Sequence, residues 1–308
     1  MAVAELEFRA MASAGKVLVV DGPSNLTALA ARRANELEHL WSRFVPTSDI
    51  ARINRSPGNR VPVDPTTIQL VRAMVEAWHL TAGSFDPTIL PALLGHGYTS
   101  SITDGHPSCE IPPHARLGGD LDEIAIDGPS LSITLPNGMA LDPGGLGKGL
   151  AADLIVAELL ASGAAGAMVS LGGDLRIEGR PPPEGWMVEV EHAEAPDEAL
   201  CTLSLERGGV ATSSVRSRTW AHEGGLRHHL IDPATGQQAG TDLDAVTVVA
   251  ASAWQAEAIA TQCLLAGFER ARGVLSSHDV DGIAIAAAGQ VVSTIAALDL
   301  ARHDRSRT

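Results

Sequence analysis

Two stretches of this chain hold residue types suited to phosphate chemistry. Residues 140–153 read Ala-Leu-Asp-Pro-Gly-Gly-Leu-Gly-Lys-Gly-Leu-Ala-Ala-Asp, with Gly145 in a glycine-rich loop and Lys148 at the head of a helical pattern. Glycine lets backbone approach a ligand closely. The free N–H groups at a helix start favour phosphate, and Lys148 adds a full charge. The pattern points to an anionic, phosphorylated ligand. It is not a Walker P-loop, because Gly149 stands where Ser or Thr would hold magnesium. The alternative is a tight strand-to-helix turn with an exposed lysine. In the second stretch, Glu257 and Thr261 lie four residues apart and share one helix face. Carboxylate plus hydroxyl is a hard-oxygen pair suited to Mg2+; the alternative is a solvated glutamate beside a threonine satisfied by its own helix. His229 precedes the Asp232-Pro233 turn on an expected strand, 228–231. Beside a phosphate site such a histidine can serve as general base, with an ordinary pKa near 6.5. The alternative is an edge-strand histidine beside a turn-capping aspartate.

The elements that must position these groups follow from periodicity and punctuation. Residues 16–20 read as a strand and 26–44 as a long amphipathic helix. Asp64-Pro65 opens a second helix that runs through Trp78 and stops near Gly83, and Asp86-Pro87 repeats the start signal. Residues 95–120 form an expected long loop, and 122–127 with 131–135 an expected hairpin. A helix over 148–161 ends at Gly163. Strands are expected at 167–171, 175–178, 186–191, 202–205, 209–212 and 245–250. Ser252 and Gln255 have capping-box spacing ahead of a helix that ends at Gly267. Residues 283–287 and 291–295 make a last hairpin. Strands that come in groups between helices imply an α+β fold of mixed, largely antiparallel sheets layered with helices. The chain reads as one domain over 1–308, with a polar tail at 301–308.

Composition narrows the function. The chain has 308 residues and a net charge of −15, which excludes a nucleic-acid partner, since phosphate backbones need a basic footprint. Aromatics are 3%, so the core must be Ala, Val, Leu and Ile. Cys109, Cys201 and Cys263 show neither CxxC nor zinc spacing. The N-terminus has no secretory pattern and no stretch is long and apolar enough for a membrane span. A cytoplasmic protein is the expectation.

Taken together, eight blocks in order resemble the ApbE family of flavin transferases. They are Met11-Ala12-Ser13, the stretch from Ser42-Arg43-Phe44 to Asn54, Gly83 to Thr88, Leu141 to Asp153, Leu171 to Asp174, Ala211-Thr212-Ser213, His229 to Gly236 and Ala256 to Thr261. The resemblance implies transfer of FMN from FAD to a Thr or Ser hydroxyl of an acceptor protein, with Mg2+ and with AMP as the second product. It implies that Met11, Phe44, Ser84, Phe85, Asp86, Asp142, Lys148 and Ile231 contact FAD. It places the metal between the Gly145 carbonyl, Glu257 and Thr261. Asp153, Asp174, Thr212, His229 and Asp232 would line or support the site, with Asp174 and Thr212 on the FAD side and His229 as base. The chain departs from the family pattern in several places. Glu257 replaces an aspartate and reaches one methylene further. Pro143 removes a loop N–H. Leu150 and Phe44 replace tyrosines, Ser214 replaces a glycine, and the start lacks Met-Gly-Thr. Two rival readings share the site: an FAD pyrophosphatase with water as nucleophile, and a flavin-binding protein without turnover.

Overall fold

The computed structural model describes residues 1–101, 105–192 and 195–295. The expected tail at 301–308 lies outside them, as do residues 102–104 of the expected long loop.

The chain opens with the hairpin β1 (Val3–Ala10) and β2 (Ser13–Val20), then α1 (Leu26–Trp41) and α2 (Asp49–Asn54). β3 (Val61–Pro62), α3 (Pro65–Leu80), α4 (Leu90–Gly95), β4 (Ala125–Asp127) and β5 (Ser132–Thr134) follow. Then come α5 (Gly147–Ala161), β6 (Gly166–Leu171), β7 (Asp174–Gly179), β8 (Trp186–His192) and β9 (Ala195–Leu205). The C-terminal part holds β10 (Gly208–Ser214), β11 (Thr219–His222), β12 (Gly225–His228), β13 (Leu243–Ala250), α6 (Ala253–Ala266), α7 (Phe268–Ser277), β14 (Asp281–Ala286) and β15 (Val291–Ser293).

Eight strands form the central sheet in the order β1-β2-β6-β7-β10-β13-β14-β15. Every pairing in it is antiparallel. The fold is therefore α+β, with an antiparallel rather than mixed sheet. Side-chain alternation divides the two faces. Val17 and Val19 of β2 face a core shared with α1, α3 and α5. Val246, Val248 and Ala284 face α6 and α7. On the other side, Val20, Ile177, Val210, Ile283 and Ile285 meet Trp186, Val188 and Leu203 of the β8–β9 arm.

Helix α5 is apolar nearly all round, which suits a helix enclosed by the sheet, α1 and α6. Gly149 lets α5 and α6 touch at their N-termini. A Cβ there would stand 2.6 Å from the backbone carbonyl carbon of Ala253.

Local signals and structure differ in four places. The strands and helices β1, α2 and α7 carry no clear periodic signal; β1 is an edge strand with charged Glu5, Glu7 and Arg9, a composition that discourages edge-to-edge pairing. Helix α1 ends at Trp41, not Phe44, because Ser42 turns extended and sends Arg43 and Phe44 away from the helix. The expected strand over 228–231 breaks at His229, leaving only an isolated bridge from Ile231 to Gln238. The capping box at Ser252 does not form. Instead, Asp153 from α5 accepts the N–H groups of Ala253 at 3.0 Å and Trp254 at 3.1 Å. By contrast, Asp64 caps α3 through the N–H of Thr66, as its sequence implies.

Candidate active site

A cleft of about 750 Å3 opens where the first hairpin, the glycine loop, β7, β10, α6 and the segment after β12 converge. Of the sixteen residues singled out from the sequence, Asp153 and Asp232 do not line it and the other fourteen do. They fall into three groups.

At the floor is a charge cluster. The Lys148 ammonium, on the first turn of α5, sits between the carboxylates of Asp174 and Glu257, with Glu257 Oε1 at 3.1 Å. Glu257 Oε2 accepts the Gly149 N–H at 2.9 Å, and Asp174 Oδ1 accepts the Thr212 N–H at 3.3 Å. Thr212 and Thr247 hydroxyls pair at 2.9 Å. Thr261 Oγ1 donates to the carbonyl of Glu257 and lies 3.1 Å from Ser213 Oγ. Burial pushes the Lys148 ammonium below its ordinary range, against the pull of Glu257. Asp153, behind this cluster, is driven up to about 6 by burial, against the two backbone N–H groups it accepts.

The second group shapes the loop. Asp142 is buried; its Oδ2 pairs with Arg43 Nε at 2.8 Å and its Oδ1 accepts the Gly144 N–H at 2.6 Å. Asp86 accepts the N–H and hydroxyl of Thr88, both at 2.7 Å, and burial raises its carboxyl. Asp142 thus engages both oxygens within the protein, while Asp86 uses only Oδ1 and lines the cleft. Ser84 and Phe85 precede Asp86, and the Phe85 ring lies 3.3 Å from where a Cβ of Gly145 would stand, so only glycine fits that approach without displacement.

The third group is aromatic and apolar. Phe44 and Tyr98 lie 5.8 Å apart, and Tyr98 stacks on Trp220 at 4.8 Å. The Arg43 guanidinium covers Phe44 and Tyr98 at 4.2 and 4.5 Å. Ile231 packs with Tyr98. Met11 and Ala12 form the two-residue turn of the first hairpin with φ of 54° and 56°. Such a turn ordinarily takes Asn-Gly, so two strained residues border the cleft.

His229 is half-buried, and its Nδ1 lies 3.2 Å from the Ser217 carbonyl. A carbonyl only accepts, so that bond places the proton on Nδ1 and leaves Nε2 with a lone pair. Desolvation first, then the charges of Arg218 and Lys148, lower the imidazole to about 3. The ordinary value near 6.5 does not hold here. Asp232, by contrast, turns to the N–H of Ala234 and the hydroxyl of Thr235 and does not line the cleft.

This geometry joins a buried lysine–carboxylate cluster, a glycine loop, an aromatic flank and a neutral imidazole. A sequence model of the ApbE family matches residues 7–284.

The chain belongs to the ApbE family.

An FAD:protein FMN transferase from Treponema pallidum is 31% identical over 251 residues, covering 74% of this chain and 67% of that protein. One from Vibrio cholerae is 25% identical over 254 residues, covering 81% and 75%. The apo flavinyl transferase ApbE of Pseudomonas stutzeri superposes with a TM-score of 0.78 at 26% identity, covering 96% of this chain and 95% of the other. The ApbE protein of Thermotoga maritima superposes with a TM-score of 0.81 at 24% identity, covering 95% and 97%.

In this ApbE-family cleft the sequence motifs overlooked Tyr98 and Arg218, and gave Arg43 no role; they also missed Trp220, which backs Tyr98 from behind the lining. Tyr98 is the chain's single tyrosine, a signal of sorts. Arg43 adjoins a motif residue. Trp220 and Arg218 lie in a segment whose course no local pattern reveals.

Proposed function

We propose that this ApbE-family transferase moves FMN from FAD to a Ser or Thr hydroxyl of an acceptor protein and releases AMP. The carrying observation is the convergence of Lys148, the glycine loop and His229 on one cleft with an aromatic wall. The Lys148 ammonium and the positive end of the α5 dipole face anionic oxygens of the FAD diphosphate. Phe44 and Tyr98 line the cleft and offer aromatic surface to a planar ring, with Trp220 stacked behind Tyr98. The acceptor hydroxyl oxygen attacks the FMN phosphorus. The bond from that phosphorus to the AMP oxygen breaks, and the hydroxyl proton passes to His229 Nε2. Such transfer rests on positioning and electrostatics.

Among the described residues no group of three or more His, Cys, Asp or Glu side chains gathers to hold a metal. The oxygen donors that face the cleft are nevertheless of the hard type Mg2+ takes. Glu257, Thr261 and the Gly145 carbonyl would hold the ion, which would neutralise diphosphate charge. Lys148 offsets one of the two carboxylate charges of the floor. The proposal includes a cytoplasmic setting, where thiols stay reduced. Cys109, Cys201 and Cys263 are unpaired, and no helix among the described residues is long and apolar enough to cross a membrane.

The test is mass spectrometry of candidate acceptor proteins incubated with this protein, FAD and Mg2+. An FMN-sized adduct on a Ser or Thr is the expected result. Free FMN and AMP without an adduct would replace the reading by FAD hydrolysis. Bound, uncleaved FAD would replace it by flavin binding alone.

A further inference from the structure

We propose that Arg218 is a second cationic ligand for the dinucleotide's diphosphate, the group that lets this cleft separate phosphorylated flavins from riboflavin. The inference rests on the FAD reading above and extends it to a residue outside every motif. Arg218 is half-buried and lines the cleft beside Lys148 and His229. Its Nη1 lies 3.8 Å from where a side chain at Gly144 would begin, so the guanidinium reaches over the glycine loop.

Among the described residues it makes no hydrogen bond and no salt bridge. This holds in a chain with 37 acidic and 22 basic residues, where carboxylate partners are plentiful. Arg43, which lines the same cleft, is paired with Asp142. A partly desolvated guanidinium with five donors and no acceptor is unfavourable until a ligand supplies one.

The backbone adds a second observation. Arg218 has φ of 48°, in the left-handed region that bulky residues avoid. Strain of this kind persists where the surroundings hold the residue for a purpose. The preceding carbonyl, of Ser217, is the one that meets His229 Nδ1. The same turn thus orients the imidazole and aims the guanidinium. Burial, with the Arg218 charge assisting, weakens proton binding at Lys148 and His229. Lys148 has its carboxylates and the imidazole is neutral, so Arg218 is left as a cation for an anionic ligand to meet. Guanidinium also matches phosphate oxygens with two parallel donors, which an ammonium cannot do.

The experiment compares the full-length wild type, Arg218→Gln and Arg218→Lys by flavin fluorescence titration with FAD and with riboflavin. Melting temperatures establish that each variant is folded. Arg218→Gln should weaken FAD by about tenfold or more and leave riboflavin within about twofold. Arg218→Lys, which restores charge without the planar fork, should fall between. Equal FAD affinity in wild type and both variants overturns the proposal. So does an equal loss of FAD and riboflavin. A wild type that binds no FAD overturns the reading it rests on, and this inference with it. Arg218-dependent FAD binding without any protein adduct removes only the transfer step.

Discussion

Glu257 is where the floor of the cleft is most open to a quantitative test. Its carboxylate is 5% exposed, accepts the Gly149 N–H at 2.9 Å and meets Lys148 at 3.1 Å. Glu257→Ala removes both contacts. Loss of a charge-assisted bond to a buried N–H is worth about 1.5–3 kcal/mol. Breaking a buried ion pair from one side typically destabilises by about 3–5 kcal/mol. Asp174 stays on Lys148, which limits the damage, so about 3–4 kcal/mol is expected in total. For a domain of this size that is a fall in Tm of roughly 5–6 °C. Glu257→Gln keeps a carbonyl for Gly149 and loses only the charge, so about 1–2 kcal/mol is expected. Urea denaturation without flavin, with equal m-values as the check on a common unfolded state, measures both. An alanine variant within about 1 kcal/mol of wild type would refute the reasoning. So would a glutamine variant as unstable as alanine, because glutamine still accepts the Gly149 N–H that alanine orphans.

Three further predictions follow from the same cluster. Gly149→Ala places a Cβ against the Ala253 backbone, which cannot swing aside as a side chain does; a loss of about 2 kcal/mol or more is expected, read by urea denaturation, and an unchanged midpoint would deny the close helix contact. Asp153 is raised to about 6 in the folded protein, above its unfolded value of about 3.9. Its contribution is therefore fully present below the unfolded value and lost as pH rises through about 6. The stability of wild type relative to Asp153→Asn should fall by about 2–3 kcal/mol between pH 4 and 7; a flat or rising difference contradicts this. His229 is depressed to about 3, so its stabilising contribution exists above about 6.5 and is lost as pH falls toward 3. Because kcat/KM reports the free protein, kcat/KM for FAD should show no His229 limb near 6.5. A limb there that vanishes in His229→Asn would overturn the assignment of its environment.

Local chemistry was legible where the residues that matter stand close together in the chain. Lys148 follows its glycines directly, and Glu257 and Thr261 lie one helical turn apart, so type and spacing disclose them. The Asp64 cap on α3 is equally local. What escaped depends on distant partners. Ser252 has the spacing of a cap, yet Asp153, a hundred residues earlier, reaches the α6 N-terminus and takes the N–H groups instead. Asp142 lines the cleft as its motif implies, but its pairing with Arg43, nearly a hundred residues earlier, has no local signature. His229 was legible as a histidine near the site, but its protonation is set by burial, Arg218 and Lys148, none of which a local pattern reports. Tyr98 and Trp220 stack across more than a hundred residues of sequence.

The walls of the cleft come from Met11 near one end of the chain to Thr261 near the other. No fragment of the protein contains the site, so binding is competent only in the assembled fold. By mass action, a ligand at a hundred times its Kd then stabilises that fold by about 2.7 kcal/mol. The whole gain accrues to global unfolding, because the β1–β2 hairpin and α6 cannot part while a ligand bridges them. Flavin supply in the surroundings would thereby set the lifetime of the protein against proteolysis as well as its occupancy.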